Sequence, residues 1–263
     1  MSAIVLSLLL LAGNQPFNDT FDRATAAYTR GDFAGAVDGY EQLAREGVHD
    51  PAVFYNLGNA YYRSGRIGPA VANYERALQL DPSYRDAQHN IDRCLDQTKR
   101  RLARPLPPDW EQSLLFWHYG LRESTTRFIA AFAWLALWTL LGVRRWRKAR
   151  YLRLAALTVG TIAAAFAASA WAKAHPDLLA VASAASVPVY YTTSDTSTVR
   201  FELYEGDRVQ VVDRRSNDWL RVRTIDGEQG WVPQKHMTLV GPPYLPAPPE
   251  APATAAAPEG SAR

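Results

Sequence analysis

DPAVFYNLGNAYYRSGRIGPAVANYERALQLDP, residues 50–82, holds two helical patterns separated by a turn. Asp50 followed by Pro51 marks a helix start: a capping carboxylate, then a proline at the first helical position, where a missing N–H costs nothing. Phe54, Leu57, Gly58 and Tyr61 recur at helical spacing as far as the turn Ser64-Gly65-Arg66. Ala70, Tyr74 and Ala77 repeat the pattern in a second helix, which Asp81-Pro82 stops. Small residues at Gly58, Ala70 and Ala77 allow the two helices to approach closely. The rings of Phe54, Tyr61 and Tyr74 fill the space that remains.

Together with Pro82, these positions coincide with the consensus of the tetratricopeptide repeat, a helix–turn–helix unit of about 34 residues. A degenerate copy precedes it. Phe21, Ala24 and Tyr28 correspond to Phe54, Leu57 and Tyr61; Gly31 closes a shorter turn; Ala36 and Tyr40 correspond to Ala70 and Tyr74. After Pro82, Ser83 is expected to cap a third, largely polar helix to about Leu102, as suits the end of a repeat array. The all-α repeat domain is thus expected over residues 17–103. By helical phase its concave groove is lined by Tyr55, Asn59 and Tyr62, and by His89, Asn90 and Arg93 from the capping helix. Asparagines can hold an extended peptide by its backbone, and Arg93 can meet a carboxylate. A merely solvated inner face is the alternative.

Beyond the prolines of residues 104–108, the sequence turns apolar. Residues 104–123 read as a Pro-rich linker and an interfacial segment, with Trp110, Phe116, Trp117 and Tyr119 suited to a bilayer surface. Packing against the repeat domain is the alternative. No Asp or Glu occurs from Ser124 to Pro176, and two long apolar runs fall in that window. They are expected to be transmembrane helices, at 124–143 and 154–173. The connecting residues 144–153 carry six cations, Arg144, Arg145, Arg147, Lys148, Arg150 and Arg153, and no acid. Such a loop belongs in the cytoplasm, which puts both flanking domains on the outer side. Gly160, Ala164, Ala168 and Ala172 form a small-residue stripe for a neighbouring helix, either the first of the hairpin or one from another protein.

Export of the first domain requires a signal, and residues 1–16 supply an aliphatic run, Ile4 to Ala12, of signal-peptide length. An uncleaved anchor is the alternative. The formal net charge of +3 says little about partners, because the excess is concentrated in one loop. No basic, aromatic-studded face for nucleic acid is evident.

From Ser186 the period changes to two. Val187-Pro188-Val189-Tyr190, Arg208–Val212 and Trp219–Arg223 alternate, and Asp226-Gly227 signals a tight hairpin before Gly230-Trp231-Val232-Pro233. Glu205-Gly206-Asp207, Asp218-Trp219 and Gly230-Trp231-Val232 resemble the strand boundaries of bacterial SH3-like domains, implying a small all-β barrel over 186–240. Such domains bind peptides or cell-wall fragments. Tyr190, Tyr191, Trp219 and Trp231 are the aromatic candidates for the binding face, with Tyr191 expected exposed and Trp231 expected in the core. Residues 241–263, rich in proline and alanine, are expected to lack defined structure.

The order of these parts resembles the BatE proteins of bacterial aerotolerance (Bat) operons. That resemblance implies a scaffold in the inner membrane with both soluble domains in the periplasm. It also implies partners: membrane-bound von Willebrand factor A-domain proteins and a MoxR-type AAA+ ATPase system. Peptidoglycan is the alternative ligand, through the barrel. The sequence implies no enzyme and no cofactor. His49, His89, His118, His175 and His236 are scattered without metal-ligand spacing, and there is neither a phosphate-cradling glycine loop nor a nucleophile elbow. Cys94 alone supports no disulfide framework and reads as a buried thiol in a helix.

Overall fold

Among the described residues five helices come first: α1 (Gln15–Thr29), α2 (Phe33–Arg45), α3 (Pro51–Arg63), α4 (Ile67–Leu80) and α5 (Arg85–Leu95). This computed structural model describes residues 15–100, 102, 105, 107–147, 150–194, 196–215, 218–242 and 244–249. The expected signal segment therefore lies outside the described residues, apart from the start of α1. Asp32 and Asp50 cap α2 and α3, their carboxylates accepting from the backbone N–H of Gly35 and Ala52. A Cβ on Gly58 would stand 2.6 Å from the Tyr74 ring, so glycine is what lets α3 lie on α4. Ala24, Phe54, Leu57, Tyr61, Ala70, Tyr74 and Ala77 form the core, as the repeat pattern requires.

The capping helix departs from expectation. It starts at Arg85, with Ser83 Oγ turned back to donate to Asp81 Oδ1, and it ends at Leu95 rather than near Leu102. The residues that would have continued it serve the barrel instead. Lys99 and Arg100 lie over the ring of Tyr204, at 4.2 and 5.5 Å from its centroid, and Arg100 pairs with Asp207 at 2.7 Å. Cys94 is fully buried between α5 and the repeat core, and burial pushes its thiol up to about 12. At pH 8 the thiol is therefore expected to resist Ellman's reagent in the folded chain and to react fully once guanidinium unfolds it. Rapid labelling of the native protein would show that α5 does not pack as described.

Two short helices, α6 (Asp109–Leu114) and α7 (Phe116–Gly120), replace the expected single interfacial segment. Their side of the chain contacts the second apolar helix. The Trp117 ring lies 6.3 Å from that of Phe166, His118 Nδ1 is 2.8 Å from Ser169 Oγ, and Lys173 Nζ donates to Leu121 O. All three partners, Phe166, Ser169 and Lys173, belong to the second apolar helix. Trp110, Leu114 and Phe116 remain exposed.

α8 (Glu123–Trp146) and α9 (Arg150–Ala174) are long and apolar enough to cross a bilayer, each about 36 Å at 1.5 Å per residue. Ala133 of α8 and Leu152, Ala156 and Ala163 of α9 are buried in the seam between them. Phe128, Phe132, Leu135, Leu154 and Leu157 face outward and exposed, where the core helix of a soluble protein would bury them. Both helices outrun the expected spans. Arg144 and Arg145 sit in the last turn of α8, and Arg150 and Arg153 in the first turn of α9, leaving Arg147 in the connection. Arginine is a good helix former, and cations complement a helix C-terminus. Lys148 lies outside the described residues. Of the small-residue stripe, Gly160 faces Leu137 of α8, whereas Ala164 and Ala168 are exposed.

Seven strands follow: β1 (Leu179–Ala182), β2 (Ser186–Tyr190), β3 (Val199–Tyr204), β4 (Arg208–Arg215), β5 (Trp219–Arg223), β6 (Gln229–Pro233) and β7 (Met237–Val240). They form one antiparallel sheet in the order β3-β2-β6-β5-β4-β1-β7. The barrel begins at Leu179, seven residues before the expected start. β1 is buried on both faces and shows no alternation. Ala180 and Ala182 enter the barrel core, while Leu179 and Val181 join the core of the repeat domain.

The two soluble domains are thus docked, α4 against β1 and β7. Arg208 reaches Glu75 at 2.8 Å with both side chains buried, and Arg76 donates to Leu239 O. The tail also differs from expectation. Residues 244–249 form neither helix nor strand, yet Tyr244 and Ala247 pack on the repeat core. Residues 250–263 lie outside the described residues.

Candidate functional site

Within α3, Asn59, Tyr62 and Arg63 point away from the packed face carrying Phe54, Leu57 and Tyr61. They meet Tyr28 of α1, Tyr74 of α4, and Asn90 and Arg93 of α5 around a cleft of ≈ 370 Å³. A hydrogen-bond network forms its floor. Tyr74 OH and Asn90 Nδ2 both donate to Asn59 Oδ1, at 2.8 and 2.9 Å. Burial raises the Tyr74 hydroxyl's pKa, keeping it a donor. At the rim, Arg93 lies 5.4 Å from the centroid of the Tyr62 ring, whose hydroxyl accepts from Gln97 Nε2. Arg63 lies 4.6 Å above Phe33. Both arginines are exposed, and among the described residues no carboxylate lines the cleft.

Four of the six residues assigned to the groove therefore come together: Asn59, Tyr62, Asn90 and Arg93. Tyr55 stands beside them, its ring 5.9 Å from Tyr74 and 5.2 Å from Tyr84, with Asn90 Nδ2 3.4 Å from its hydroxyl. His89 is exposed and outside the lining, a third of a turn from Asn90. Sequence reasoning passed over Arg63, although it lies four residues beyond Asn59 on the same helical face. Tyr28 and Tyr74 read as core, and only their placement in space puts them on the cleft wall.

On the barrel, Tyr190 and Trp231 are register partners on adjacent strands. Trp231 is half-buried rather than in the core, with the Arg215 guanidinium 4.9 Å from its ring centroid. Trp219 is the more buried of the two. Only 9% exposed, it meets Tyr190 edge-on at 5.7 Å and supports the face from below. Tyr191 is 58% exposed, with Arg200 5.3 Å above it. Two arginine–aromatic pairs, Arg215 with Trp231 and Arg200 with Tyr191, therefore lie on the barrel surface.

A helical-repeat unit and a small antiparallel barrel, joined through two membrane-length helices, define a chain built of interaction modules. The tetratricopeptide repeat family matches residues 51–84, and the bacterial SH3 domain family matches residues 191–238. Over 64 residues the chain is 36% identical to the peroxisomal targeting signal receptor of Saccharomyces cerevisiae (strain ATCC 204508 / S288c), an alignment covering 24% of this chain and 10% of that protein. The likeness to the receptor is thus confined to a tenth of its length.

Proposed function

We propose that this protein is a non-catalytic, membrane-anchored scaffold of a bacterial envelope complex of the aerotolerance type. In this reading α8 and α9 cross the inner membrane, the arginine-rich turn faces the cytoplasm, and both soluble domains lie in the periplasm. One observation carries the proposal. Two domains separated in sequence by α8 and α9 share a buried ion pair, Arg208 with Glu75, and hence must share a compartment. An even number of crossings satisfies that constraint, and the cations at the turn supply the orientation.

The cleft is where the scaffold takes a partner. Two exposed arginines and an asparagine pair, with no acid among the lining residues, suit an acidic or carboxylate-ended peptide segment. By family resemblance the proteins offering it are von Willebrand factor A-domain membrane proteins, acting with a MoxR-type ATPase. A photo-crosslinking amino acid at Tyr62, in native membranes, is expected to capture a membrane protein. Arg63→Glu with Arg93→Glu is expected to reduce that adduct at least about tenfold, as for loss of two charge-assisted contacts. An adduct unchanged by the charge reversal would overturn this assignment.

The two arginine–aromatic pairs of the barrel favour a second reading, in which the barrel surface holds peptidoglycan or a peptide. The full chain in detergent should then sediment with purified sacculi and lose that property with Tyr191→Ala and Trp231→Ala together.

A further inference from the structure

We propose that the repeat domain carries a second peptide-binding site, for an extended proline-rich segment bearing one tyrosine, and that residues 244–249 occupy it as a resident ligand. The site lies on a different face of α3 from the cleft and is made by Glu41, Phe54, Tyr61, Arg66 and Arg76. Its tyrosine pocket is specific on three sides. The Tyr244 ring stands 6.1 Å from that of Phe54, the Arg76 guanidinium lies 4.5 Å from its centroid, and its hydroxyl donates to Glu41 Oε1 at 3.0 Å. Tyr61 OH donates to the same oxygen at 2.5 Å, and Arg45 holds Oε2 at 3.1 Å. Glu41 is 8% exposed, so a buried carboxylate is organised around a phenol supplied by the tail.

The rest of the segment is read through its backbone. Prolines have no N–H to offer, which leaves carbonyls as the polar groups of Pro246-Ala247-Pro248. Two arginines take them: Arg76 Nη2 donates to Leu245 O at 3.0 Å, and Arg66 Nη2 to Pro248 O at 2.5 Å. The two carbonyls are three residues apart, the repeat of a polyproline II helix, so both face the same side. A stiff, hydrogen-bond-poor strand is thus gripped by fixed donors and one aromatic anchor, as in other proline-rich recognition. Nothing in this arrangement requires the ligand to be tethered.

The test uses the full chain in detergent micelles with a stop codon after Val240, and a fluorescein-labelled peptide of sequence YLPAPP. Saturable binding by anisotropy is expected, weakened at least about tenfold when the peptide tyrosine is replaced by alanine, since a hydrogen bond to a charged group is lost. The uncut chain should bind far less, because its own tail competes at an effective concentration on the order of millimolar. Full-length Tyr244→Ala should regain binding, and it serves as the test if the shortened chain does not fold. Absence of saturable binding to a folded variant, or equal binding of the alanine peptide, would overturn the proposal. The outcome is independent of membrane topology and of the partner taken by the cleft.

Discussion

Replacing Glu75 by alanine is expected to destabilise the folded chain by about 3–5 kcal/mol, the cost of leaving a buried charge without its counterion. The Glu75 side chain is 2% exposed and that of Arg208 10%, and they meet at 2.8 Å between α4 and β4. Intact, such a pair contributes little net stability, because desolvation of both ions offsets their attraction. Alanine at position 75 removes the attraction and leaves the Arg208 guanidinium enclosed. Undocking the barrel is the cheapest relief. Urea unfolding in micelles should therefore show the helical signal and the barrel tryptophans leaving together in the parent chain and separately in the variant. Glu75→Leu combined with Arg208→Met should recover most of the loss. A single variant within about 1 kcal/mol of the parent would mean that the interface is not the dry seam described.

That seam is also where sequence reading ended. The repeat was legible because each of its positions answers to a neighbour within the same 34-residue unit: Gly58 to Tyr74, Asp50 to Ala52. The barrel was legible from Val187 onward for a similar reason, since one face of each strand meets the barrel's own core. β1 was not. Leu179 and Val181 answer to α4, about a hundred residues earlier, and the strand's four apolar residues look like the end of the preceding helix. The contacts of residues 244–249 were not legible for the same reason. Composition describes what Tyr244–Pro249 can do alone, and its partners Glu41, Arg66 and Arg76 are supplied by another part of the chain. In the cleft, helical phase found Asn59 and Asn90 but could not say that they bond to one another. Their mutual bond leaves the Asn59 amide nitrogen and the Asn90 carbonyl as the groups that can meet a peptide.

Gly68→Ala turns the docking into a question of sign. Gly68 lies in the first turn of α4, where alanine ordinarily favours the helix by up to about 1 kcal/mol. Arg66 at the N-cap makes no side-chain cap. The barrel supplies one, Glu205 Oε1 accepting from Gly68 N at 3.0 Å, so an N–H that the helix cannot satisfy by itself is satisfied across the interface. A Cβ at this position would lie 2.3 Å from Ala182 O and 2.8 Å from Ser183 Cα. Both atoms are backbone, held where β1 ends, and neither can move aside as a side-chain tip would. Either α4 shifts, losing the Glu205 cap, or β1 does, disturbing its ladders with β4 and β7. Overpacking of this kind costs about 1–3 kcal/mol, more than the propensity returns. The expected result is a net loss of stability with separated unfolding of the two domains, and a larger loss for Gly68→Val. A gain on Gly68→Ala would instead be the response of a free helix end, and docked domains would then be excluded along with the shared compartment inferred from them.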